Sequence, residues 1–138
     1  MKKLFYLILI LFYSNAAFAA DWVFLTSSDN FNVYIDKSGV EHKKRAWVKY
    51  ESKNEMKKKF DYMLQLVIVN CADNSTALKA LASYKNGTLL DSYEHPRPVY
   101  KSIIPESIGE TILICICDDK SSEILEALKT ISPSSKNK

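Results

Sequence analysis

The sequence has little net charge. Its 138 residues include 19 basic and 16 acidic side chains. Without its first 20 residues the chain loses the two lysines Lys2 and Lys3, so that 17 basic side chains face 16 acidic ones. Proteins that bind nucleic acid usually carry a clearly basic surface, and this balance therefore argues against a nucleic-acid partner.

Histidine and cysteine are scarce, with two and three residues in the chain. Cys115 and Cys117 are spaced like half of a site for a soft metal. His42 and His95 are far away in sequence and lie in predicted loops, and beyond Cys71 no cluster of cysteine or methionine completes such a site. We therefore expect no metal and no cofactor, and interpret the cysteines as one disulfide and one buried thiol.

The sequence also lacks an evident catalytic constellation. A Cys–His pair is conceivable, because catalytic groups need only meet in space. Cys115, however, lies in an isoleucine-rich run, where burial raises the pKa of a thiol and makes it inert. The adjacent carboxylates Asp118 and Asp119 are typical of a helix boundary or a solvated turn. We expect that the protein is not an enzyme.

Residues 1–20 have the form of a signal peptide. Lys2 and Lys3 provide a basic start, Leu4–Tyr13 is a short apolar run, and residues 15–20 supply small side chains for cleavage. The apolar run is too short for a comfortable membrane span, which argues against a retained anchor. We therefore expect an exported protein without a membrane span after cleavage.

The exported chain is predicted to form one domain, residues 21–131, followed by a disordered tail of residues 132–138. No cysteine stands at the cleavage point to accept a lipid. The predicted location is therefore the periplasm, the cell surface or the medium.

The longest strand pattern is Phe60–Cys71. One predicted face is apolar throughout, with Phe60, Tyr62, Leu64, Leu66 and Ile68. The other face begins polar and becomes apolar toward Val67, Val69 and Cys71. We expect this strand to be covered on both sides at the Cys71 end, by an element that a disulfide would hold in place.

Several shorter strands precede and follow this one. Consecutive patterns at Trp22–Leu25, Phe31–Asp36 and Lys44–Glu51 favour antiparallel hairpins. Thr76–Lys85 has both helical and alternating character, but Asn86-Gly87 is a strong two-residue hairpin signal and favours a strand. The proline-rich stretch 95–98 is predicted to end the sheet.

The C-terminal part of the domain is predicted to be helical. Ser107 with Glu110 has the form of a capping box, although residues 112–117 resemble a strand by propensity. On a strand Cys115 and Cys117 would share a face, whereas on a helix they lie about 200° apart and only one can meet Cys71. The residues alone leave both pairings open. Ser121 or Ser122 is expected to begin a last helix that ends before Pro133.

The order and spacing of a set of motifs across nearly the whole exported chain resemble the surface-adhesin protein E family of Gram-negative bacteria. The motifs are Tyr34-Ile35-Asp36, Ala46-Trp47-Val48, Asn70-Cys71, Tyr84 with Gly87, Tyr100, and Pro105-x-Ser107 with Cys117. Two positions depart from what we expect of the family: no cysteine follows the leader, and Glu106 stands where glycine is expected.

The resemblance implies an α+β fold, with a single antiparallel sheet of about six strands and one or more C-terminal helices held on one face by a disulfide. It implies that Cys71 pairs with Cys117 and that Cys115 is the extra thiol. It also implies adhesion to host extracellular-matrix proteins.

Two basic clusters are candidate binding residues. They are Lys43, Lys44 and Arg45, and Lys57, Lys58 and Lys59. If they adjoin, they could bind an acidic ligand or an acidic protein face. The favoured interpretation is that these lysines protect a sheet edge. The aromatic residues Trp47, Tyr50, Tyr84 and Tyr93 are likewise interpreted as packing residues rather than as a ligand platform.

The sequence therefore supports two hypotheses of different class. The first is a non-enzymatic adhesin-like domain that binds a macromolecule, such as a host extracellular-matrix protein, through an open sheet face or its edges. An exposed edge could also support a homodimer. The alternative is a periplasmic small-ligand carrier or envelope-stress domain with a pocket between sheet and helix.

Overall fold

The computed structural model describes residues 19–131. Residues 1–18 and 132–138 lie outside the described residues. The predictions of a signal peptide over residues 1–20 and of a disordered tail over residues 132–138 are therefore not tested by the structure.

Seven antiparallel strands form one sheet. They are β1 (Trp22–Ser27), β2 (Phe31–Asp36), β3 (Arg45–Ser52), β4 (Tyr62–Asn70), β5 (Ser75–Lys85), β6 (Thr88–Glu94) and β7 (Lys101–Ser102). The first six strands lie in chain order across the sheet, and β7 pairs with the start of β5. The predicted antiparallel sheet of about six strands is confirmed.

Three helices accompany the sheet. They are α1 (Met56–Lys59), α2 (Ile108–Cys117) and α3 (Ser121–Ile131). The single turn of α1 lies in the lysine-rich connection between β3 and β4. Helices α2 and α3 pack against each other and on one face of the sheet, so the predicted layer arrangement is confirmed.

The run 112–117 is helical despite its β-branched residues. The Ser107 hydroxyl accepts a hydrogen bond from the Glu110 N–H at 3.3 Å, and the Glu110 carboxylate accepts one from the Glu106 N–H at 2.7 Å. The buried side chains of α2 are Ile112, Leu113, Cys115 and Ile116. This spacing forms one stripe of a helix and buries it on the sheet, which outweighs the strand propensity of isoleucine.

The helix determines which cysteine meets the sheet. Cys71 directly follows β4 and forms a disulfide with Cys117 at the end of α2, with 5.7 Å between the Cα atoms. Cys115 points into the core and is 1% exposed. The pairing implied by the family resemblance is therefore present, and Cys115 is the extra thiol.

The core lies between the helices and one face of the sheet. Its buried apolar residues are Val23, Val33, Ile35, Ala46, Val48, Val67, Val69, Ile112, Leu113, Cys115, Ile116 and Leu125. The sheet contributes mainly valine and isoleucine side chains. Helix α2 contributes Ile112, Leu113, Cys115 and Ile116, and α3 contributes Leu125.

The central strand is shorter than predicted and is covered on one side only. It runs over Tyr62–Asn70 rather than Phe60–Cys71. Val67 and Val69 lie under the helices, as expected of the Cys71 end. Leu66 and Ile68 alternate with them, so they point away from the helices and remain half-buried. The prediction of cover on both sides was wrong, because the chain supplies its helices to one face.

The hairpin between β5 and β6 is confirmed, and the predicted end of the sheet is wrong. Asn86 and Gly87 have φ values of 49° and 74°, as a tight two-residue turn with two left-handed residues requires. Strand β6 ends at Glu94, before the prolines. The chain nevertheless returns to the sheet as β7, where Thr76 pairs with Lys101.

Helices in the described part of the chain are short. None of those within residues 19–131 is both long and apolar enough to cross a membrane.

The disulfide closes a loop with a sequence separation of 46 residues. In the chain-entropy model such a crosslink stabilises the fold by about 4 kcal/mol. We expect the double variant Cys71→Ala/Cys117→Ala to lose about this much free energy of unfolding, measured by urea denaturation. The matched control Cys115→Ala removes a buried thiol without removing the crosslink and should lose about 1 kcal/mol. Equal losses in the two variants would contradict this account.

Candidate functional site

The candidate site is the face of the sheet opposite the helices, here called the open face. Residues that pair directly across antiparallel strands share a face. Trp47 pairs with Leu66, Lys49 with Leu64, and Glu51 with Tyr62. The same face continues to Trp22, Phe24 and Tyr34 in one direction and to Ala80, Ala82 and Tyr84 in the other.

The open face is mostly aromatic and aliphatic, and it has no covering layer in the described part of the chain. Both α2 and α3 pack on the opposite face, against the core residues. The side chains of the open face are half-buried, which reflects contact with one another rather than with a second layer. An antiparallel sheet with a solvated face normally alternates apolar and polar residues, so this solvated face is unusually rich in aromatic and aliphatic side chains.

The aromatic side chains of the open face are held in place by each other. Tyr62 and Tyr84 stack with ring centroids 4.8 Å apart, and Phe24 meets Tyr34 edge to face at 5.6 Å. These contacts fix the rings before any partner arrives. A rigid aromatic surface loses little conformational entropy on binding, which favours its use in recognition.

A charged pair lies within this aromatic surface. The Lys49 ammonium is 4.7 Å from the centre of the Tyr34 ring and 5.1 Å from that of Trp22, as in a cation–π contact. Burial lowers the pKa of Lys49, and the nearby Glu51 carboxylate opposes that shift. The Tyr34 hydroxyl donates to Glu51 at 3.1 Å. Burial, followed by the charge and hydrogen bond of Glu51, raises the pKa of Tyr34.

The two predicted basic clusters do not adjoin. Residues 43–45 lie at the start of β3. Lys57–Lys59 belong to α1, which follows the end of β3. The eight residues of β3 separate them by about 23 Å. The interpretation as edge protection was wrong, because β3 lies in the middle of the sheet. The clusters instead stand at opposite ends of β3.

Three of these six side chains have acidic neighbours. Lys43 lies 2.7 Å from Asp119, the Arg45 Nε donates to Glu41 at 2.6 Å, and Lys58 lies 2.7 Å from Glu55. Each of these basic side chains is exposed to solvent, so the ion pairs contribute little to stability.

The aromatic residues interpreted as packing residues are divided among three environments. Trp47 and Tyr84 lie on the open face. Tyr93 lies on edge strand β6, is 54% exposed, and packs edge to face against the His95 ring with 4.4 Å between the ring centroids. Tyr50 is on the helix side, beside a cleft of about 540 Å³ between the sheet and α2.

Sequence reasoning missed a cluster of Ser121, His42 and Asp119. The two ring nitrogens of His42 lie 3.4 Å from the Ser121 hydroxyl and 3.4 Å from an Asp119 carboxylate oxygen. The residue types match a Ser–His–Asp triad, but both distances are long and the Asp119 side chain is 82% exposed. An exposed carboxylate that also contacts Lys43 does not hold the imidazole for catalysis.

Within residues 19–131 no group of three or more histidine, cysteine, aspartate or glutamate side chains is placed to hold a metal ion.

Comparison with known proteins identifies one relationship. A family model described as surface-adhesin protein E matches residues 22–118, which include all seven strands and α2. No curated protein and no solved structure matches the chain.

Burial governs the chemistry of Cys115. Its surroundings raise the pKa of the thiol to about 11, so the reactive thiolate is almost absent at neutral pH. We expect native protein to show no fast reaction with a thiol reagent at pH 8, and to release one reactive thiol on unfolding. Rapid labelling of Cys115 in the folded protein would contradict this and would reopen a thiol chemistry for the chain.

Proposed function

Because the chain belongs to the surface-adhesin protein E family, we propose that it is an exported, non-enzymatic adhesin that binds a host extracellular-matrix protein through the open face. The family match supports the adhesin role. The observation that carries the choice of surface is the aromatic and aliphatic face that no described helix covers.

The chemistry of the open face suits a protein partner. Tyrosine, tryptophan and arginine are enriched in the residues that contribute most to protein–protein binding, and the open face supplies tyrosine and tryptophan from several strands. Lys49 and Glu51 add one positive and one negative group among them, which can select the orientation of the partner. Nothing in this arrangement resembles a site for bond making or breaking.

The size of the open face indicates how the partner is held. Four strand spacings from β1 to β5 give a width of about 19 Å, and the length of β3 gives about 23 Å, so the flat area is about 440 Å². A stable interface buries about 800 Å² on each side. We infer that a tightly bound partner extends beyond the open face onto the basic clusters at the two ends of β3.

A second candidate function, carriage of a small ligand, is supported by a different observation. The cleft beside Tyr50 has the volume and the mixed lining of a small-molecule site and lies on the other side of the sheet. The two functions use separate surfaces.

Binding to a panel of immobilised extracellular-matrix proteins tests the adhesin proposal. The double variant Trp47→Ala/Leu66→Ala removes one cross-strand pair of the open face, and we expect it to weaken saturable binding by about tenfold or more, because truncated interface anchors often cost 2 kcal/mol. The matched control Ile114→Ala removes an exposed apolar side chain from α2, on the other layer, and should bind as the parent protein does.

The same binding assay tests the contribution of each basic cluster. Charge reversal of residues 43–45 or of residues 57–59 should slow association and weaken its dependence on salt, since flanking charges act mainly on the encounter. Thermal unfolding verifies that each variant is folded. Parent-like binding by the folded open-face variant would contradict the proposed surface, and absence of saturable binding to every matrix protein would contradict the proposed function.

A further inference from the structure

The cleft on the helix side is enclosed by three separate parts of the chain. Strands β3, β4 and β5 form its floor, the segment from His95 to Lys101 forms one wall, and the first turns of α2 form the other. Its volume of about 540 Å³ lies within the usual range for small-molecule sites. The cleft is separate from the open face, because it lies on the side of the sheet that the helices cover.

Much of the cleft lining is apolar. Val67 and Leu78 lie on the floor and Ile112 on the α2 wall, and Val67 and Ile112 belong to the buried core. Val99 stands at the mouth and is 73% exposed. An apolar floor with an exposed apolar residue at the mouth favours a ligand with a hydrocarbon body.

Two polar groups in the cleft are free to bond a ligand. Burial alone raises the pKa of Tyr50, and within residues 19–131 no hydrogen bond to its hydroxyl contributes to that shift. The amide of Gln65 makes one weak contact in the described residues, with Nε2 3.8 Å from the Met63 sulfur. Both residues line the cleft, so each can hydrogen-bond a polar atom of a bound molecule.

Lys101 supplies a positive charge to the cleft. His95 also lines it, and none of the lining residues within 19–131 is an aspartate or a glutamate. The nearby acids are engaged elsewhere: Glu94 lies 3.0 Å from Lys79, and Glu110 accepts the Glu106 N–H at 2.7 Å. An anionic group at the mouth would therefore meet Lys101 without an acidic lining residue opposite it.

We propose that this cleft binds a small amphipathic carboxylate, with its carboxylate at Lys101 and its hydrocarbon body against Val67, Leu78 and Ile112. The polar groups of Tyr50 and Gln65 also line the cleft and can accommodate a hydroxyl or carbonyl along the body. This site is independent of adhesion through the open face. It names the class of ligand for the second candidate function.

Decanoate is the probe for this site, with decanol as the uncharged match of the same chain length. Titration of the isotopically labelled full exported protein, followed by backbone NMR, should show saturable shifts centred on Val67, Leu78 and Ile112. Calorimetry should give decanoate a dissociation constant at least about tenfold lower than that of decanol, because the charge-assisted contact to Lys101 is absent with the alcohol.

Two lysine variants distinguish binding of decanoate in the cleft from nonspecific attraction of decanoate to positive charge. Lys101→Gln keeps the backbone pairing of β7 and should weaken decanoate binding about tenfold while leaving decanol unchanged. Lys120→Gln removes an exposed lysine from the turn between α2 and α3 and should change neither. Equal decanoate binding by both variants, shifts confined to the open face, or no saturable binding would overturn the proposal. Matrix-protein binding by Lys101→Gln should equal that of the parent, so failure here is distinguishable from failure of the adhesin function.

Discussion

The disulfide between Cys71 and Cys117 is the constraint on which the rest of the structure depends. It joins the end of the central strand to the end of α2 and so determines which face of the sheet receives the helices. The backbone N–H of Lys43 donates to the Ile116 carbonyl at 2.9 Å and attaches the loop before β3 to the same helix end. Helix α3 then packs on α2 and β1, where Lys129 lies 2.8 Å from Asp21.

The two faces of the sheet differ because of this constraint. The face under α2 and α3 is the hydrophobic core, with β-branched residues from four strands. The other face carries Trp47, Tyr62 and Leu66 and has no second layer within residues 19–131. Solvated faces of antiparallel sheets are usually polar, and a domain gains no stability from displaying aromatic rings to water. Exposed apolar surfaces of this kind are typical of interaction sites, and we propose that a protein partner covers this one.

Local sequence signals predicted the elements that depend on neighbouring residues, such as turns and helix caps. Asn86-Gly87 produces a two-residue turn because both residues tolerate a left-handed backbone, and Ser107 caps α2 because its hydroxyl reaches the N–H of Glu110. Strand β7 escaped prediction, since two residues give no periodicity and their pairing with β5 depends on where the chain returns after the prolines.

Non-local features of the site were less predictable. The residues alone left the partner of Cys71 open, and the family resemblance supplied it. The predicted face with Phe60 and Ile68 is the more apolar face of the central strand. The helices nevertheless cover the other face, which carries Val67 and Val69. Alternation alone cannot say which face a distant helix will choose. The predicted strand Lys44–Glu51 already separated the two basic clusters along the chain, and the structure places them at opposite ends of β3.

The account requires that the open face be accessible to host proteins outside the cell. Antibody labelling and protease treatment of intact producing cells, with a protein confined within the cell envelope as the control, test this most directly. We expect the domain to be labelled and cleaved on intact cells while the control protein is protected. Labelling and cleavage that occur only after the envelope has been opened would contradict the adhesin account, because the open face could not then reach a matrix protein.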